Sequence, residues 1–113
     1  MNGLKGRTFA GVLALGASVF LTTLPAVAQN EGAAAYKAKC AGCHSADGSG
    51  SSPAGKAMHL RDLGSADVQK QTDAELTEIT ANGKGTMPGY KGKLTDEQIK
   101  QVVAFMRTFA KKG

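Results

Sequence analysis

An all-α fold of three to four helices with long connecting loops is predicted by three features of the chain. Side-chain N-caps at Ser65, Thr72 and Thr95 each precede apolar residues at helical spacing. Beyond residue 28 there is no run of alternating β-branched and polar residues that would read as a strand. Two glycine-rich stretches, 45–64 and 83–92, follow neither period. Irregular segments of that length inside a compact domain usually wrap something.

The N-terminal part reads differently. Lys5 and Arg7 precede an uncharged apolar run from Phe9 to Leu21; Pro25 and then Ala26-Val27-Ala28 follow. Basic, apolar and small-residue regions in that order predict a secretory signal peptide over 1–28, leaving one domain over 29–113. An uncleaved anchor is the alternative, but the run falls short of the roughly 20 apolar residues that a span needs. Periplasmic export with no stable membrane insertion after cleavage is therefore expected. Without Lys5 and Arg7 the domain carries 12 basic residues against 9 acidic ones, with both signs interspersed. That balance excludes the concentrated basic stripe of a nucleic-acid binder, and it suits steering towards an acidic partner.

Within 29–113 the first helix is expected from Asn30, a fitting N-cap, with Ala33, Tyr36 and Cys40 recurring on one side. Ser65 caps a short helix to about Gln71. Thr72 and Glu75 form a capping box for a third, carrying Leu76 and Ile79 and stopping at Asn82-Gly83. Thr95 and Gln98 form another box, with Leu94 stapled to Ile99 across it. Ile99, Val102, Val103, Met106, Phe109 and Ala110 trace the apolar stripe of the last helix, and Arg107, Lys111 and Lys112 suit its final turn. The aromatics of this domain are only Tyr36, Tyr90, Phe105 and Phe109. So small a domain usually needs a staple such as disulfides, a metal or a cofactor.

Cys40-Ala41-Gly42-Cys43-His44 supplies the reason for such a staple. Two cysteines two residues apart, followed directly by histidine, form the attachment pattern for a c-type haem. The thiols reach two vinyl groups of one porphyrin, and the next residue projects its imidazole towards the iron. Three alternatives remain. A closed zinc site needs four ligands, and beyond this motif only His59 adds a histidine or cysteine. A thioredoxin-like pair expects a βαβ context. A plain disulfide leaves His44 without a role.

With His44 on one side of the iron, Met87 is the leading residue for the other. It lies in Asn82-Gly-Lys-Gly-Thr-Met-Pro-Gly-Tyr90, where Gly83 and Gly85 permit unusual backbone angles and Pro88 stiffens the turn. Met58, His59 or an open position are the alternatives, and Met106 belongs to the core stripe. A soft thioether favours ferrous iron and raises the reduction potential. Filling both axial positions argues for an electron carrier rather than an enzyme.

On these residues the chain resembles the short mono-haem class I c-type cytochromes of bacteria, including the soluble photosynthetic type. The resemblance spans nearly all of 29–113 and is most specific at Cys40 to His44 and at Asn82 to Tyr90. It implies the cytochrome c fold wrapped around one covalent haem c, with Gly32 and Tyr36 on the first helix crossing Val102 and Phe105 on the last. It also implies that the Pro53 carbonyl accepts the NH of His44, a bond that would orient the ring. The implied function is single-electron shuttling by a monomer between respiratory or photosynthetic redox proteins, with Lys56, Lys84, Lys91 and Lys93 as a docking rim. The rival readings are an electron-entry subunit of a larger oxidoreductase and a haem peroxidase or gas-binding protein. Gas-binding four-helix cytochromes carry the attachment motif near the C-terminus, whereas Cys40 lies near the start of this domain.

Overall fold

The architecture follows from two long helices that cross at a glycine, with shorter helices and loops on one side of the crossing. The computed structural model describes residues 11, 14–18 and 26–111. Of the expected signal peptide, residues 1–10, 12–13 and 19–25 lie outside them. The helices are α1 (Ala26–Lys39), α2 (Ala41–His44), α3 (Pro53–Ala57), α4 (Ala66–Gln69), α5 (Asp73–Asn82) and α6 (Asp96–Arg107). Among the described residues there is no sheet, only isolated backbone bridges between Lys84 and Met87 and between Lys91 and Leu94. Nor is any described helix long and apolar enough to cross a membrane.

Helices α1, α4, α5 and α6 correspond to the four expected elements, and their caps explain their starts. Ser65 Oγ accepts from Val68 N, and both predicted capping boxes are formed. Two expectations are corrected. Asn30 is not the first cap, because the helix begins at Ala26 and runs through the expected cleavage point. The last helix stops at Arg107, since Thr108 Oγ1 turns back onto the Phe105 carbonyl. Phe109 thus packs from beyond the helix end.

Two helical turns fall where no helix was expected. α2 is the attachment motif itself. α3 interrupts the first loop, with Ser52 as its N-cap and Pro53 in its first turn, where a missing NH costs nothing. Neither has an apolar period, so no periodicity could reveal it.

α1 packs across α6 because Gly32 lets the two backbones meet; a Cβ there would overlap the Gln101 carbonyl. Tyr36, Phe105 and Phe109 form a mutual cluster with centroids 5.2–5.3 Å apart. Ile99, at 1% exposure, and Val102 lie against it together with Leu94, the predicted staple. A second cluster of Val68, Leu76, Val103 and Met106 joins α4 and α5 to the other side of α6. Arg107 clamps that side, donating to the Gln69 and Gln71 carbonyls and to Asp73.

Candidate functional site

The Cys40–His44 segment is held between the first helix and the first loop. Cys40 follows the last residue of α1, and its carbonyl accepts from the NH groups of Cys43 and His44. The chain then turns at Ser45, whose φ of 71° is unusual for a residue with a side chain. Hydrogen bonds hold that conformation: Tyr36 Oη donates to the Ser45 carbonyl (2.7 Å), and Ser52 N donates to Ser45 Oγ (2.8 Å). Ser52 Oγ donates to the Cys43 carbonyl, and Gly55 sits where a Cβ would overlap the carbonyls of Cys43 and Gly50. Position 45 gave no sequence signal for this role.

The chemistry of the motif side chains differs within this one turn. Cys40 is 8% exposed and Cys43 is exposed, and both thiols are free. Burial, aided by the neighbouring Cys43, pushes the Cys40 thiol up to about 11. Burial lowers the pKa of His44, which favours the neutral imidazole needed for a metal ligand. His44 Nδ1 is buried with no hydrogen-bond partner. The bond that the resemblance assigned to the Pro53 carbonyl is therefore not formed here, although Pro53 does lie in the helix packed on this turn.

Met87 is presented by a tight turn at the end of α5. Lys84 N donates to the Met87 carbonyl and Met87 N to that of Lys84. Gly83, at φ 81°, is required twice, since a Cβ would also press on the Met87 carbonyl. Beyond the turn, Tyr90 N and Lys91 N donate to the Thr80 and Ala81 carbonyls, satisfying groups at the end of α5 that lack a helical partner.

Two cavities meet at these side chains. One, of about 50 Å³, is lined by both thiols, Met58, Pro88 and Tyr90. The other, of about 290 Å³, is lined chiefly by apolar residues, Leu63, Val68, Leu76, Ile79 and Met106 among them, with His59, Arg61 and Lys84 at polar positions. His44, Leu60 and Met87 line both. Met58 borders only the first and His59 only the second, so the structure brings every candidate ligand to the crevice but places only His44 and Met87 where the two lobes join. Leu60 was missed at the sequence level, because it lies in a stretch without a period. The four lysines expected to form a docking rim are all exposed.

Comparison with known proteins places the chain in a family. Residues 27–106 match the family described as cytochrome C oxidase, cbb3-type, subunit III. Cytochrome c6 of Leptolyngbya boryana is 37% identical over 82 residues, covering 73% of this chain and 93% of that protein. Cytochrome c6 of Synechocystis sp. is 31% identical over 91% of this chain and 79% of that one. Among solved structures, the KustC0563 c-type cytochrome superposes with a TM-score of 0.66 at 32% identity, over 71% of this chain and 98% of that chain. Cytochrome cL of Methylophaga aminisulfidivorans, at 23% identity and a TM-score of 0.60 over 94% of this chain and 69% of that one, shares the fold. With a shared fold, a matching family over most of its length and relatives that carry electrons, this chain belongs to the mono-haem class I c-type cytochromes and is a cytochrome c6-like electron carrier, not an enzyme.

Proposed function

We propose that the chain is exported by cleavage after Ala28 and works in the periplasm as a monomer holding one covalent haem c. Cys40 and Cys43 would tether the group by thioethers, and His44 and Met87 would fill the two axial positions. When bound, the haem supplies a one-electron couple between ferric and ferrous iron. The observation that carries this reading is that His44 and Met87 are the imidazole and thioether shared by both lobes of one largely apolar crevice. Burial that lowers the pKa of His44 supports it as well, because an imidazole ligates a metal in its neutral form. The apolar walls would limit water around the group, and His44 and Met87 would limit rearrangement between its oxidation states. Lys56, Lys84, Lys91 and Lys93 would steer an acidic redox partner, respiratory or photosynthetic, into a small transient interface.

The test begins with intact mass and a pyridine haemochrome spectrum of protein matured in a haem-attaching host. The expected mass is that of residues 29–113 plus one haem. Met87→Ala then removes the far-red sulfur-to-iron band of the oxidised protein. It also lowers the potential by on the order of 0.1 V, within the roughly 0.8 V that axial ligands span. Loss of the band in Met58→Ala instead would transfer the ligand role to Met58.

The family description favours a second reading, in which the same domain is a fixed electron-entry subunit of an oxidase. Purification from the native membrane separates the two: the carrier elutes alone, the subunit with a larger complex.

A further inference from the structure

The loop that carries Met87 is attached almost entirely to its own neighbourhood. Its backbone bonds run within the 84–87 turn or back to the end of α5, at Thr80 and Ala81. Thr86 and Pro88 are exposed, and Met87 is only half-buried. Residues 84–89 of this segment belong to neither buried cluster. Two contacts tie it to the far wall of the crevice. Thr86 Oγ1 reaches the Met58 sulfur at 4.0 Å, the limit of a weak bond. Tyr90 Oη donates to the Lys39 carbonyl at 3.0 Å, across 51 residues of sequence.

We propose that the Tyr90 hydroxyl is a latch that holds the Met87 loop closed against the end of α1. Tyr90 and Lys39 both line the cavity that contains the thiols, so the bond lies in its wall. Lys39 ends α1, where carbonyls lack helical partners and readily accept such a donor. The Tyr90 ring packs against the buried cluster that includes Cys40 and Leu94, and Lys93 Nζ lies 5.6 Å from its centroid, so the hydroxyl is aimed by a fixed ring. Tyr90 is thus a positioning residue that decides how long the Met87 sulfur stays in place.

This inference rests on Met87 as axial ligand, and its test separates the two ideas. Tyr90→Phe keeps the ring and removes only the hydroxyl. Thr108→Val is the matched control, since it removes another hydroxyl-to-carbonyl bond, away from both the Met87 loop and the attachment turn. In the reduced holoprotein, Tyr90→Phe should raise the carbon monoxide association rate about two- to tenfold, the effect on an opening equilibrium of losing one ordinary hydrogen bond. Amide exchange at Tyr90 and Lys91 should quicken by a similar factor. Thr108→Val should leave both at the parent's values. Parental rates in Tyr90→Phe, or equal acceleration by both variants, would overturn the latch. A far-red band that survives Met87→Ala would remove the ligand assignment alone, because amide exchange reports loop opening whichever sulfur binds.

Discussion

The α1–α6 crossing and the crevice are built on opposite principles. At the crossing, Gly32 lets two helices touch, and Tyr36, Phe105, Phe109, Ile99 and Val102 exclude water from each other. On the crevice side, the first loop and the Met87 loop are shaped by hydrogen bonds and by glycines at positive φ, among them Gly48, Gly50, Gly83 and Gly85. Their apolar residues face a cavity rather than one another. Protein packing completes the first region. The second is preformed in outline, but its burial depends on an occupant.

The largest effect that would sharpen this contrast is expected from Ile99→Ala. A cavity at a fully buried position costs about 2–5 kcal/mol. Because the crossing does not depend on the haem, the loss should be similar in haem-free and haem-loaded protein, as read by denaturant melts. A loss confined to the loaded form would break the comparison.

Next in size is a difference between the two thiols of the haem-free chain. At pH 8, iodoacetamide should modify exposed Cys43 at least about tenfold faster than Cys40, which is buried and has its thiol pushed up to about 11. Peptide mass mapping checks the order. Equal rates would mean that the attachment turn is not preformed.

Tyr36 gives a smaller effect with a distinct pH signature. Burial, then the negative charges of Cys40 and Asp47, push its pKa well above the ordinary 10.0. A raised folded pKa means that its stabilisation is complete below about pH 10 and is lost as pH rises from there towards the folded value. Tyr36→Phe should cost about 1 kcal/mol at pH 7, since the Ser45 carbonyl still accepts from Gly48 N. The same variant should flatten the alkaline fall in melting temperature.

The smallest effect is expected at Leu60, which lines both cavities and belongs to neither buried cluster. Leu60→Ala should change the haem-free chain by under about 1 kcal/mol, since the side chain is only half-buried there and joins neither cluster. In the loaded protein the cost should be larger. Equal losses in both forms would place Leu60 in the protein core.

The fold was legible wherever a short stretch carried a complete signal. The capping boxes at Thr72 and Thr95, the Leu94 staple and the Ile99–Met106 stripe all involve residues within a few positions of each other, and all are formed. The attachment motif is local for the same reason, and so are the glycines around Met87. The helical turn at Pro53, the strained Ser45 and the double role of Leu60 carried no such local pattern. Pro53 itself entered only through resemblance, and its carbonyl does not reach His44 in this structure.

By itself, then, the sequence determined the helix caps and singled out the residues proposed to carry the chemistry, because caps and the attachment motif are properties of neighbours along the chain. Only the tertiary structure decided that His44 and Met87 share both lobes of one crevice, that Phe109 completes an aromatic cluster from beyond its helix, and that Tyr90 reaches Lys39 across 51 residues. The physical reason is range. Caps, turns and thiol spacing act over a few residues, whereas these contacts join segments that only the α1–α6 crossing brings together.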